Sequence, residues 1–238
     1  MWPMPPFNKK YVIIYFSPHH ITCTWIESAG KKAKLKAIKT ETIQNLELEH
    51  LIIYNPSHIN SIIQSFIKSH KLQNAYSLFC LSGPSLKEQF ITSDTVKLNQ
   101  KSLDTHDQQA QISWKHLVWD YSYLYPTQNG QFVFYVAGIS RELIFQYQLL
   151  AMRNNLNLIA LSPATTALLN LYQEYKGSDF RQGQLGIDLA YHNNDVTKIF
   201  NHKTLNNVIY NTKHINQTDT EALLASIGLY YMRDKLNA

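Results

Sequence analysis

Residues able to do chemistry are few and scattered. Ten histidines are spread over 238 residues, and His19-His20 is the only adjacent pair. Neighbours on a strand point to opposite faces, so that pair makes a poor bidentate metal site. Cys23 and Cys80 are the only cysteines and stand far apart, which fits buried thiols in a reducing compartment rather than a metal or disulfide framework. No GxGxxG, GxxxxGK[ST], HExxH or GxSxG run is present. Asp188, within Leu185-Gly186-Ile187-Asp188-Leu189-Ala190, is the most provocative acid. At the end of a buried strand it could hold a Mg²⁺-bound water near a phosphate. The alternative is a carboxylate capping the Tyr191–Asn194 turn through nearby backbone amides.

Two further groups could bind rather than react. Trp119, Tyr121, Tyr123 and Tyr125 alternate along one extended stretch, so on a regular strand they face the same way. Exposed, such a row is a peptide-docking surface; covered by a helix, it is core. Basic residues hardly interleave with it, which argues against a nucleic-acid stacking platform. The second group is Lys31, Lys32, Lys34, Lys36 and Lys39, where much of the net charge of +5 collects. A solvated hairpin edge is the simpler reading, since lysine discourages strand-to-strand pairing. A lipid or nucleic-acid contact is the alternative.

The elements that must position these residues read as a mixed α/β chain. Three strands, Tyr11–Ser17, Ile21–Ser28 and Ala33–Thr42, come first. Ser57 can cap a helix whose apolar side is Ile59, Ile62, Ile63, Phe66 and Ile67, running to about His70. Strands Tyr76–Leu81 and Leu86–Ile91 flank a Ser82-Gly83-Pro84-Ser85 turn, and Thr92–Ser113 is polar with room for one short helix. Leu117–Leu124 pairs with Gln131–Ala137, and Ser140 caps a helix presenting Leu143, Ile144, Tyr147, Leu150 and Ala151. Leu156–Leu161 leads to Ser162-Pro163, a cap followed by proline at the first helical position, and then to a helix with Ala164, Ala167, Leu168, Leu171 and Tyr175 on one side. Gln184–Ala190, Val196–Asn201 and Asn207–Lys213 are three more strands. Thr218 with Glu221 forms a capping box for the last helix. Ile62, Phe66, Leu168 and Leu171 are the expected core contacts of their helices.

Composition agrees. An apolar fraction of 45% with 16% charged residues describes a folded chain rather than a disordered one. The longest purely apolar or aromatic run, Tyr11 to Phe16, is far short of the roughly 20 residues that span a bilayer. The proline-broken start, Met1-Trp2-Pro3-Met4-Pro5-Pro6, does not read as a secretory signal.

Two sets of three strands, each leading toward a helix, suggest a duplicated α/β unit with an insert between the halves. At this point the chain resembles the PilM family of type IV pilus and DNA-uptake machinery. The resemblance lies in Tyr76–Ser82-Gly83-Pro84-Ser85 with Phe90-Ile91, in Trp119-Asp120-Tyr121, Phe132–Ala137 and Arg141-Glu142-Leu143, in Leu158-Ile159-Ala160-Leu161-Ser162-Pro163 with Ala167-Leu168-Leu169, and in the closing Ala225-Ser226-Ile227-Gly228-Leu229. It implies an actin-like ATPase fold of ribonuclease H-like duplicated βββα units, with an inserted SHS2-type subdomain and a shortened second half. The expected division is residues 8–91 for the first subdomain, 92–140 for the insert, 141–178 for the return of the first half, and 179–238 for the second half. It further implies a cytoplasmic protein at the inner face of the inner membrane, in pilus assembly or in competence. The implied partner is a PilN-like bitopic membrane protein, whose cytoplasmic tail would dock between the first sheet and the insert, with Trp119, Tyr121 and Tyr123 as the contact row.

The departures from that family bear on chemistry. Where its first strand carries Gly-Ile-Asp-Ile-Gly, this chain has Val12-Ile13-Ile14-Tyr15-Phe16, so Ile14 stands for the acid and Phe16 for the last glycine. Phosphate-cradling backbone needs small residues for close approach. The second loop keeps Asp188 but ends in Ala190, and few residues separate Lys213 from the closing helix. The expectation is therefore a non-enzymatic adaptor without ATP or Mg²⁺, Asp188 being vestigial. The alternatives are an ATPase of the same fold using Asp188, the cytoplasmic domain of a type II secretion platform protein, and a basic nucleic-acid-binding protein.

Overall fold

The computed structural model describes residues 9–29, 32–43, 48–49, 51–110, 113–176, 208–209 and 217–232. Its centre is β1 (Lys9–Phe16), whose last six residues are all buried. A strand covered on both faces reads as a continuous apolar run rather than an alternating one, and Tyr11–Phe16 is such a run. β1 continues through antiparallel β2 (His20–Ala29) and β3 (Lys32–Thr42). A short ladder, β4 (Leu48–Glu49) with β5 (Ile52–Ile53), precedes α1 (Pro56–His70). The cap of α1 is the Asn55 side chain, accepting from the His58 N–H, rather than Ser57, with Pro56 in the first turn.

β6 (Tyr76–Leu81) returns parallel to β1 on the side away from β2. The chain then leaves the sheet to form β7 (Lys87–Ser93), α2 (Gln100–Ala110), a 3₁₀ turn at Trp114–His116, β8 (Leu117–Pro126) and β9 (Phe132–Ser140). These strands make a separate antiparallel sheet in the order β7-β9-β8. This smaller unit takes in Lys87–Ile91, which the sequence groups with the first subdomain, because β7 pairs with β9 along its whole length. α3 (Arg141–Arg153), capped by the Ser140 hydroxyl accepting from Leu143 N–H, leads back to β10 (Asn157–Pro163), parallel to β6. α4 (Ala164–Lys176) follows directly, so Pro163 ends the strand instead of opening the helix.

The main sheet has the order β10-β6-β1-β2-β3-β11, where β11 is Val208–Ile209 running parallel to β3. The lysine-rich β3 is thus paired along part of the edge that the sequence leaves open. α5 (Gln217–Met232) begins one residue before Thr218, the expected cap. The expected strands Gln184–Ala190 and Val196–Asn201, and Asp188 with them, lie outside the described residues.

Each face of the sheet has its own core. Val12, Ile14 and Phe16 pack with α1 and α3 through Ile59, Ile63, Phe66, Leu143 and Tyr147. Tyr11, Ile13 and Tyr15 pack with α4 and α5 through Ala164, Ala167, Ala222, Ala225 and Leu229. α5 is buried on every side from Ala222 to Tyr230, which is why it is apolar all round. Sequence grouping assigns α5 to a second half, yet its described contacts lie on α4 and the first sheet.

Phe66 is core as expected, while Ile62 only leans on it. Leu171 is 2% exposed and Leu168 is half-buried, so the two expected contacts are unequal. Leu171→Ala should cost about 2–5 kcal/mol in chemical denaturation and Leu168→Ala distinctly less. Equal losses would mean that Leu168 carries core packing this arrangement does not give it.

Candidate functional site

β8 positions the aromatic row, and its two faces look in different directions. Trp119, Tyr121 and Tyr123 stand opposite Gly138, Val136 and Phe134 of β9. On that side they border a small core of Ile91, Leu98, Leu103, Trp114, Phe134 and Val136. The Trp119 indole N–H donates to Gln100 Oε1 of α2 at 2.9 Å, and its ring stacks on Tyr121 at 6.2 Å. Tyr121 meets Phe134 edge-on at 5.5 Å, and Tyr123, 41% exposed, leans on Phe132 and Phe134. Trp119 and Tyr121 are half-buried, so the row is partly core and partly surface.

Tyr125 does not belong to it. A bulge at Leu124 breaks the alternation, so Leu124 and Tyr125 both join the cluster of Val133, Tyr135, Ala137 and Leu169. One extra residue in a strand reverses every later side chain, and no sequence pattern announces it.

The opposite face of β8 looks into a cleft of about 380 Å³. Its walls are the β8 segment Val118–Ser122, which presents the side chains of Val118, Asp120 and Ser122 on this face, Tyr135, Ala137 and Ile139 of β9, and Ile159–Pro163 of β10, together with Ile144, Thr166 and Met232. Among the described strands, β8 is an edge of the small sheet and β10 an edge of the main one. The cleft therefore lies between two sheet edges and is lined mainly by apolar side chains. Asp120 is the one charged residue on its wall among the described residues, and its Oδ1 accepts from the Tyr121 N–H at 2.8 Å. On the cleft wall the Tyr135 hydroxyl donates to Glu88. Burial, and then that carboxylate, raise the Tyr135 phenol above its ordinary pKa. Periodicity alone could place Val118, Asp120 and Ser122 on one face, but it gave no sign of what stands across from them.

The second candidate region is the carboxyl end of β1, where ligands of open α/β sheets commonly bind. Ile14 and Phe16 are fully buried, and the Phe16 ring packs edge-on against Tyr147 at 4.8 Å and Phe79 at 5.3 Å. The following turn uses the Ser17 and His20 amides internally. Ser17 N–H donates to His20 O at 3.0 Å, His20 N–H to Ser17 Oγ at 3.1 Å, and Pro18 has no N–H. Ser17 Oγ also lies 2.9 Å from His20 Nδ1. Beside the turn, the Tyr15 hydroxyl donates to Glu221 Oε1 of α5 at 2.8 Å. Burial and the neighbouring Glu221 carboxylate push the Tyr15 phenol upward. No group of three or more potential metal ligands is present among the described residues.

No protein-family model matches the sequence, and no curated protein matches it. Solved structures do. One described as a PilM-PilN type IV pilus biogenesis complex aligns at TM-score 0.55 and 16% identity over 71% of this chain. The fold is actin-like. The chain spans about half of that structure's length, 52%. The cytoplasmic domain of EpsL, an inner membrane component of the type II secretion system of Vibrio cholerae, aligns at TM-score 0.41 and 10% identity, covering 67% of this chain and 57% of its own. A Bacteroides thetaiotaomicron protein with an actin-like ATPase fold aligns at TM-score 0.41 and 8% identity, covering 74% and 60%. At these identities the likeness speaks to architecture alone.

The buried thiols and phenols give this fold an alkaline limit. Burial pushes the Cys23 thiol up to about 12 and raises Cys80 and Tyr147 as well. A group that holds its proton longer when folded contributes stability that is complete below its unfolded pKa and is lost as pH rises toward the folded one. Melting temperature should therefore fall as pH climbs from about 8.5, the ordinary thiol value, through about 10, that of tyrosine. Both thiols should resist a disulfide reagent at about pH 9 until the chain unfolds. Rapid labelling of the native protein would contradict this burial.

Proposed function

We propose that this chain is a non-enzymatic PilM-like adaptor in type IV pilus assembly or DNA uptake, binding the cytoplasmic tail of a PilN-like membrane protein. The observation that carries the proposal is the apolar cleft between the β8 and β10 edges. Sheet edges present unpaired backbone groups to which an extended peptide can add as a strand, with pockets for its alternate side chains. The tail takes the cleft side of β8, with apolar residues against Val118, Ala137, Ile139 and Ile159 and a basic residue near Asp120. Support for the partner comes from the structural likeness to a PilM-PilN complex. On this reading the protein is cytoplasmic and peripheral to the inner membrane, and no helix among the described residues is long and apolar enough to cross one. The inserted sheet takes the part of the SHS2-type subdomain.

A second reading, the cytoplasmic domain of a type II secretion platform, uses the same cleft with a different membrane partner. An ATPase of this fold is disfavoured by the β1 end, where phosphate would need free amides and those of Ser17 and His20 are used within the turn. Asp188 is then a vestige of the second loop. Calorimetry with Mg-ATP should show no binding up to about millimolar nucleotide, a free energy weaker than about −4 kcal/mol. Micromolar binding abolished by Asp188→Ala would reinstate the ATPase.

The two faces of β8 allow a direct test with a peptide of the PilN-like tail. Ser122→Trp and Val118→Glu, on the cleft side, should weaken binding about tenfold or more while leaving the melting temperature nearly unchanged. Tyr121→Ala and Tyr123→Ala, on the other side, separate the cleft from the aromatic row. Loss in these two with normal binding by the cleft variants would move the docking surface to the row Trp119, Tyr121 and Tyr123. Normal binding by all four would remove β8 from the interface.

A further inference from the structure

We propose that the α1 side of the β2–β3 ribbon, together with the C-terminal turn of α1, is a contact face for an anionic lipid surface. The strand register decides which side chains share this face. Lys10 stands opposite Glu27, and Glu27 opposite Lys34; Ile14 stands opposite Cys23, and Cys23 opposite Lys39. Directly opposed residues of antiparallel strands project from the same side. That side is the one on which Val12, Ile14 and Cys23 meet α1. The helix covers β1 and part of β2 and leaves Lys34, Lys36 and Lys39 exposed. A bulge between Trp25 and Ile26 places Lys36 as the extra residue of β3, with its ammonium 5.6 Å from the Trp25 ring centre. Lys10 reaches the same ring at 5.9 Å and donates to the Lys71 carbonyl at 3.3 Å, which brings the end of α1 alongside.

The charge balance of the face is one-sided. Glu27 pairs with Lys36 at 3.0 Å and Glu41 with Lys39 at 2.7 Å. Against these two acids stand Lys10, Lys34, Lys36, Lys39 and Lys71, all exposed. Much of the net charge of +5 is therefore displayed on one side of the sheet. Its chemistry suits headgroups better than nucleic acid. Every cation is lysine, a compact charge on a stem that lies along apolar surface and extends to a headgroup layer. Arginine, whose planar fork grips phosphate bidentately, is absent from the face among the described residues. Trp25 is only partly exposed and already meets two ammonium groups and the His70 ring at 5.6 Å, so it offers no free platform for a base. The face does not involve the cleft, and its role stands or falls separately from the peptide reading.

The test is co-sedimentation of the full chain with vesicles of phosphatidylcholine alone and of phosphatidylcholine mixed with phosphatidylglycerol. Binding is expected only with phosphatidylglycerol and should fade as salt rises. Lys10→Gln, Lys34→Gln and Lys71→Gln combined should reduce partitioning by about 100-fold, following the attraction known per surface lysine. These side chains are exposed, so the melting temperature of the combined variant reports that the fold is kept. Lys97→Gln with Lys101→Gln, on the inserted unit, should leave partitioning unchanged. Equal sedimentation with phosphatidylcholine alone, or an unaltered triple variant, overturns the proposal. Retardation of DNA that the triple variant abolishes, with no vesicle binding, overturns it in favour of a nucleic-acid face.

Discussion

The helices α4 and α5 cross with almost no space between them at Gly228. A Cβ there would stand 2.0 Å from the Ala167 carbonyl oxygen, so the two helices lie nearer than any side chain at 228 would permit. The Asn170 side chain donates to the Gly228 carbonyl at 3.2 Å and ties the crossing from the other side. Much follows from this contact. It seats α5 flat on β1 and β2, with Thr24 and Ser226 hydroxyls 3.3 Å apart inside the core. It places Glu221 under Tyr15, some 206 positions earlier in the chain. It also carries Met232 to the end of the cleft. Interiors pack like crystals, so a seam this tight sets the positions of everything resting on it.

How much of this was legible depended on the range of the interaction. β6 could be read to the residue because a short apolar run with turn residues on both sides is a local signal. Ser140 as a cap and α3 as its helix were likewise local. Leu168 and Leu171 lie on the same periodic stripe, and periodicity cannot say which points deepest; the angle at which α5 crosses α4 decides that. Glu221 reads as a partner for Thr218 by spacing, yet its carboxylate accepts from Tyr15, which no window of sequence contains. The bulge at Leu124 shows the same limit within a strand. Alternation held from Trp119 to Tyr123 and failed at Tyr125, because the extra residue is accommodated by β9 and Leu169 rather than by anything in β8 itself.

The site shows a related division. Sequence could assign Trp119, Tyr121 and Tyr123 to one face of β8 and could name the docking region as the space beside the insert. It could not say that the rings turn toward α2 while Val118, Asp120 and Ser122 turn toward β10. That choice is made by the small core under Trp114, which needs the large apolar rings to close it. The smaller side chains are left on the other side, and their size is what keeps a cleft open there. Bulky rings on the β10 side would have filled it.

The two regions at the carboxyl ends of the main strands can then be compared on physical grounds. At the end of β1 the protein is closed on itself. Phe16 is buried between Phe79 and Tyr147, and the turn after it closes on its own donors through Ser17 and His20. Opening it to a ligand would break bonds already made, and a buried donor or acceptor left unpaired costs about 1–3 kcal/mol. At β10 the position is reversed. The strand ends a sheet, so pairing by an incoming chain adds bonds and breaks none within the sheet. An extended chain adds most readily where backbone groups are left unpaired, and among the described strands β8 and β10 are edges while the end of β1 is closed.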